Sequence, residues 1–514
     1  MPANDPDIAV PETPPGLFSR GYLWITIGSC ALVFLGAFES LAVTTIMPVV
    51  SVDLNGASLY ALAFAGPLAT GVIGMVLAGN WSDRSGPVVP LYTSSVLFAI
   101  GLLIAGTATT MPMLVVGRLV QGLGTGAVTV ALYVVVARVY PARLHPSIFA
   151  GFAAAWVIPS LIGPFAAGIV TEVFSWHWVF LGVVGLVALA TAMVAPALRG
   201  LSSVRSTDVR STDARSTDAR STDADQTTDA VAAAKDAPAP WVLGRIAWAI
   251  IAAAAVLALN LLAEVQNVGG WLAGGAAIIA IVAVRPLLPQ GTLRAQRGLP
   301  SVILLRGLAA AAFFGAEVYL PYLLIETYEF SPTFAGLALT ISALTWAGAS
   351  WLQGRMGTSL SHRFATTVGS TLVFAAIASV FVTALLTLPP AVAIVGWVLG
   401  GGGMGLMYPR LSTMTLAMST TDNQGFNSSA LAIGDSLGSA LALATTGIVF
   451  TALASSGLSF AGVFAFTALI AVLAIAAAPR VGPKAATLRA RLPRPAPARV
   501  RAPGQHPPGP SSPS

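Results

Sequence analysis

The chain of 514 residues is 56% hydrophobic and only 9% charged, against about 25% charged residues in a soluble domain. A soluble fold this poor in charge could not cover its own surface, whereas helices facing lipid need no such cover. The net charge of +6 does not mark a nucleic-acid partner, because the basic residues sit in short loops and an Arg/Pro-rich C-terminal tail, with no folded basic face between them. The single cysteine, Cys30, excludes an intrachain disulfide, and no His or Cys cluster suits a metal.

Residues 1–20 are Pro-rich and acidic and are expected to be disordered. A membrane span needs about 20 mostly apolar residues. Fourteen runs qualify: 22–50, 58–80, 88–108, 111–139, 146–172, 176–198, 242–263, 269–288, 300–326, 332–353, 364–388, 390–416, 424–453 and 458–479. Their many Gly, Ala, Ser and Thr suit close helix packing in lipid.

Between the sixth and seventh runs, residues 199–241 carry four copies of Arg-Ser-Thr-Asp-Val/Ala from Arg205 to Ala224. Such alternating-sign polar sequence is expected to stay mobile as a cytoplasmic spacer. After the last run, residues 480–514 form a basic, proline-rich tail, expected to be disordered and either solvated or lying on anionic headgroups. The predicted organisation is a six-helix bundle over 21–198, the linker, two inserted helices over 242–288, and a second six-helix bundle over 300–479.

With the N-terminus in the cytoplasm, the outer loops fall at 51–57, 109–110, 173–175, 264–268, 327–331, 389 and 454–457. None contains Lys or Arg. Of 26 basic residues, Arg118, Arg306 and Arg410 lie well inside spans and the other 23 are cytoplasmic or at a cytoplasmic helix end. The positive-inside rule therefore predicts an integral protein of the plasma or inner membrane, with both termini in the cytoplasm.

An ionisable residue inside a span costs about 2.5–3.5 kcal/mol on insertion scales and needs a reason. Six stand out: Glu39, Arg118, Arg306, Glu317, Arg410 and Asp435. Glu39 and Arg118 differ in depth by about 6 Å at 1.5 Å per residue, so they are within reach if spans 1 and 4 touch. A dry site favours a protonated carboxyl and a nearby guanidinium favours the carboxylate. A change of conformation that switches which one wins would couple transport to protons, and the same charges are candidates for recognising a charged substrate. The alternative is a static structural ion pair. Glu317 and Asp435 lie near mid-depth in spans 9 and 13, as candidate proton or substrate-charge sites, although a structural role for Asp435 is equally open. Arg306 and Arg410 are expected to snorkel towards the cytoplasmic face.

Three local motifs add detail. After span 2, Gly79-Asn80-Trp81-Ser82-Asp83-Arg84-Ser85-Gly86 forms a short charged turn, able to latch helices in one state and release them in another. Span 4 reads Arg118-Leu119-Val120-Gln121-Gly122, followed by Gly124 and Gly126. Span 5 carries Gly163-Pro164 and Gly168, where proline frees a backbone carbonyl and small neighbours permit close packing.

In this order, the motifs resemble those of the major facilitator superfamily: its Asp-Arg-x-Gly loop, its Arg-x-x-Gln-Gly motif and its Gly-Pro antiporter motif. The chain departs from the pattern at Pro87-Val88, where the family usually has basic residues, and at Pro159 and Ala167, where glycines are usual. Glu39 precedes Pro48 by nine positions, as an acidic residue does in span 1 of the fourteen-span drug:proton antiporters. The resemblance implies two six-helix bundles plus two inserted helices, with spans 1, 4, 9 and 12 lining a central cavity. It implies proton-coupled export of small lipophilic or cationic compounds, hence antibiotic resistance, by a monomer driven by the proton gradient without a cofactor. A dedicated exporter or importer of a lipid, siderophore or metabolite is the alternative. A membrane enzyme would need catalytic groups that the short outer loops do not supply, and a channel would not need antiporter-like motifs.

Overall fold

Without water in the bilayer core, each backbone N–H and C=O must be satisfied within its own segment, which makes every apolar run a helix. The computed structural model describes residues 16–19, 21–141, 144–215, 242–263, 269–356, 360–420 and 424–482. Their α-helices are α1 (Leu23–Asp53), α2 (Tyr60–Ser85), α3 (Val88–Gly106), α4 (Met111–Val139), α5 (His145–Val173), α6 (His177–Arg215), α7 (Leu243–Ala263), α8 (Gly269–Val284), α9 (Leu299–Glu317), α10 (Tyr319–Tyr328), α11 (Pro332–Met356), α12 (His362–Leu386), α13 (Pro390–Ala417), α14 (Gln424–Ala452) and α15 (Ser459–Ala477). No strand occurs among the described residues.

Among the described residues, thirteen segments are long and apolar enough to cross a membrane, and α7 adds a shorter apolar run, Leu243–Leu259. Helices α9 and α10 form one crossing, Leu299–Tyr328, interrupted at Val318. Pro321 lies four residues after Glu317 and has no N–H to give its carbonyl, which weakens the helix at that point.

In the first half, α2 and α3 pack on α4, and α1 packs on α5 and α6. The second half repeats this arrangement: α11 and α12 pack on α13, and α9 packs on α14 and α15. The halves meet through α5 against α11 and α2 against α14. The inserted α7 lies against α2 and α14, at the edge of that seam, and α8 packs along α7.

Two boundaries differ from those expected. Helix α2 runs on to Ser85, so Gly79, Asp83 and Arg84 belong to its last turns rather than to a loop. Nothing stops the helix before Gly86, whose φ of +84° ends it in a conformation that favours glycine. Helix α6 runs on to Arg215, through the first two repeats of the linker. The rest of the repeats, nearly all of residues 1–20, and the tail from 483 lie outside the described residues.

Candidate functional site

The charged centre of the first half starts from a proline. Pro67 cannot donate to the carbonyl of Ala63, four residues earlier in α2. Arg118 of α4 takes that carbonyl, Nε donating at 3.1 Å. Its NH1 donates to Gln121 Oε1 at 2.8 Å and to Glu39 Oε1 of α1. The Glu39–Arg118 ion pair thus ties three helices together, with both side chains 5% exposed. Breaking one partner of such a pair leaves an uncompensated charge, which makes its arrangement switchable only in concert.

Close helix approach brings these groups into reach. A Cβ on Gly122 would collide with the backbone of Pro67, and one on Gly126 with the backbone of Gly71. The glycines of the span 4 motif therefore seat α4 on α2. Thr70 Oγ1 adds a hydrogen bond to the Leu119 carbonyl at 2.8 Å.

The span 5 motif lies on the interface between halves. A Cβ on Gly168 would stand 2.7 Å from Thr333 Cα of α11, and one on Gly336 would stand 2.8 Å from the carbonyl carbon of Pro164. Gly163 faces Phe38 of α1. At this same end, Glu172 Oε1 accepts from the Thr333 N–H at 3.0 Å. Tyr60 of α2 donates from its hydroxyl to the Val318 carbonyl at 2.9 Å. Its ring stacks on Tyr322 with centroids 4.6 Å apart. These contacts hold the two halves together at the end opposite the arginine-bearing loops.

At the basic end, Arg138 of α4 donates to the Ser82 carbonyl of α2 at 3.2 Å. Asp83 is exposed beside it, and a Cβ on Gly79 would make ordinary contact with Val130 at 3.5 Å.

The second half holds a different charged cluster. Arg306 of α9 pairs with Asp435 of α14 at 3.3 Å. The Arg306 guanidinium lies 3.3 Å from the centroid of the Tyr408 ring, and Tyr408 donates its hydroxyl to Asp435 Oδ1. Arg306 also donates to the Tyr408 carbonyl and to Ser412 Oγ, both at 3.1 Å. The Arg306 and Asp435 side chains are 15% and 25% exposed, more open than the Glu39 pair. Phe314 and Trp346 extend the aromatic wall around Tyr408.

This corrects the snorkelling expectation for both arginines. Packing of α9 on α14 puts Asp435 opposite Arg306, which therefore stays inside. Arg410 is 3% exposed and donates to the Leu360 carbonyl, with His362 Nδ1 at 3.5 Å. Glu317 ends α9, is half-buried, and makes no hydrogen bond or ion pair among the described residues.

Tyr408, Tyr60 and Pro67 are the functional candidates that pattern reading passed over. Pro67 carried a signal, an in-helix proline one turn beyond a carbonyl. A further signal is internal repetition. Gly401 and Gly405 of α13 press on Ser342 and Trp346 of α11, as Gly122 and Gly126 press on Pro67 and Gly71. In this register Trp397 stands where the first half has Arg118, and it stacks on Phe313 with centroids 5.0 Å apart. The first half's buried ion pair is replaced there by an aromatic pair.

Comparison with known proteins agrees with this architecture. The chain is similar to an uncharacterised transporter of Schizosaccharomyces pombe, 34% identical over 163 residues, covering 32% of this chain and 27% of that protein. A second transporter of that yeast is likewise matched over only 27% of its length. A longer alignment is with the multidrug efflux pump SdrM of Staphylococcus aureus, 22% identical over 391 residues, or 74% of this chain and 79% of that one. Among solved structures, a peptide transporter POT in complex with alafosfalin superposes with a TM-score of 0.61 at 15% identity, covering 89% of this chain and 94% of that one. The profile of the Major Facilitator Superfamily matches residues 29–443, and the chain belongs to that superfamily of transporters.

Proposed function

We propose that the protein is a proton-coupled secondary transporter that exports small lipophilic or cationic compounds by alternating access. The observation that carries this reading is the buried Glu39–Arg118 pair, bridging α1, α2 and α4 in the dry interior. Protonation of Glu39 would release the guanidinium, and loss of the proton would restore the pair, so each state of the pair suits one arrangement of the helices. The proton gradient supplies the driving force and no cofactor takes part.

The basic end is assigned to the cytoplasm with both termini, on the distribution of arginines. The contacts of Tyr60, Glu172 and Gly168 then close the outer side. Arg118, Gln121 and the span 4 glycines hold the coupling site. Gly163, Pro164 and Gly168 form the bearing between halves, and Asp83 and Arg84 belong to the inner latch. Glu317 is the carboxylate available to a substrate's positive charge or to a second proton, and Asp435 becomes so when its pair with Arg306 opens. The similarity to SdrM supports multidrug efflux and antibiotic resistance.

One observation favours a second reading, a dedicated carrier of a lipid, siderophore or metabolite. Arg306, Tyr408, Ser412 and Asp435 converge as a single-substrate site would require. The test is accumulation of a panel of lipophilic cations and neutral drugs in efflux-deficient cells expressing the protein, with and without a protonophore. Reduced accumulation of several unrelated compounds, reversed by the protonophore, supports proton-driven efflux. Unchanged accumulation across the panel refutes it in favour of a dedicated substrate.

A further inference from the structure

A groove of about 240 Å³ separates α8 from the second half. Its walls include Ile281 of α8, Leu304 of α9, Gly434 and Leu441 of α14, and Phe466 of α15, and are almost wholly apolar. The transport site described above does not use it. Gly434 leaves it open: a Cβ there would meet nothing closer than an Ile303 methyl at 3.5 Å.

At the basic end, the groove runs under the loop from Pro289 to Gly298, reaching Thr292 and Leu293. This loop has a defined shape. Gly291 and Gly298 take φ of +85° and +95°, Ser301 Oγ donates to the Gln296 carbonyl at 2.6 Å, and the Gly298 N–H donates to the Arg480 carbonyl at 3.1 Å. Arg285, Arg294 and Arg297 are all exposed around it, and none forms an ion pair among the described residues.

We propose that this groove binds an anionic phospholipid, with an acyl chain lying between α8 and α9, α14 and α15, and the phosphate held by Arg285, Arg294 and Arg297. An apolar groove at membrane depth has no partners for water, so a lipid chain fills it. Three fixed cations at its mouth select the headgroup, since each basic residue near the membrane surface attracts an anionic lipid and gains nothing of that size from a zwitterionic one. The bound lipid joins the insert to the second half where α8 itself packs along α7.

The full-length protein, purified in detergent, is exposed to an equimolar mixture of dioleoylphosphatidylglycerol and dioleoylphosphatidylcholine, and the retained lipids are counted by native mass spectrometry. The wild type retains phosphatidylglycerol preferentially. The combined Arg285→Gln, Arg294→Gln, Arg297→Gln variant loses that preference by about tenfold or more, and the corresponding triple Lys variant keeps most of it. Gly434→Leu, which fills the groove, lowers retention with the arginines intact. Thermal melting of the same samples rises with phosphatidylglycerol only when both features are present. Should the triple Gln variant not fold, the three single substitutions are read in the same way. An unchanged lipid preference in the Gln variants overturns the proposal. So does wild-type retention by Gly434→Leu, because lipid would then be held by surface charge without the groove.

Discussion

Arg118 of α4 donates to the carbonyl of Ala63 in α2 at 3.1 Å, a carbonyl that is free because Pro67 has no N–H to offer it. One helix thus lends a backbone acceptor to the charged residue of another. With Glu39 and Gln121 supplying further acceptors to NH1, Nε and NH1 are both bonded within the protein, which makes a buried charge tolerable in the interior of a membrane protein.

Pro67→Ala should therefore impair transport while leaving the fold intact. The new N–H repairs the α2 ladder and competes for the Ala63 carbonyl. A hydrogen bond to a charged group is worth about 1.5–3 kcal/mol, so transport rate in proteoliposomes should fall about tenfold or more with no drop in melting temperature. An unchanged rate would mean that the Ala63 contact does not contribute.

Gly126→Val should act on stability instead. Its Cβ would meet the backbone of Gly71, which has no flexible end to move aside. Overpacking of this kind costs about 1–3 kcal/mol, seen as a lowered melting temperature of the purified protein. By contrast, Gly182→Val, at a position open to its surroundings, should melt like the wild type.

Tyr60→Phe and Glu172→Ala should loosen the end closed by Tyr60, Val318 and Thr333. Each removes one hydrogen bond across the halves, a change of about 1 kcal/mol. Spin labels at Ser58 and Ser331 should report a larger population with that end open, and more so in the double variant. Identical distance distributions in all four proteins, the wild type included, would show that these bonds do not hold the closed state.

Arg306 and Asp435 should show coupling in a double-mutant cycle. Arg306→Gln and Asp435→Asn each strand the partner charge, and the double variant removes both. Melting of the four proteins should give an interaction energy of about 0.5–3 kcal/mol, and additive losses would contradict the pairing.

Much of the fold was legible because span length, charge asymmetry and small-residue content are local consequences of burying a chain in lipid. The depth of Glu39 and Arg118, counted along their helices, was enough to anticipate their meeting. The place of Arg306 is not legible in the same way, because its neighbour is set by the packing of α9 on α14, which no count along one helix reveals. The interruption at Val318 and the shared carbonyl of Ala63 both follow from prolines inside helices, Pro321 and Pro67. Those prolines were visible, but the group that would use each freed carbonyl was not. The charges of the switch segment suggest a turn, whereas the ladder of α2 continues until Gly86 permits an exit.

The central claim is that Glu39 couples transport to protons. The most direct test uses everted membrane vesicles with an acidified interior reported by a pH-sensitive dye, challenged with a lipophilic cation that the wild type transports. The wild type should dissipate the gradient on addition of the compound, and Glu39→Gln, inserted and folded to the same level, should not. Dissipation by Glu39→Gln equal to that of the wild type would contradict the account, leaving the Glu39–Arg118 pair as structure and moving coupling to Glu317 or Asp435.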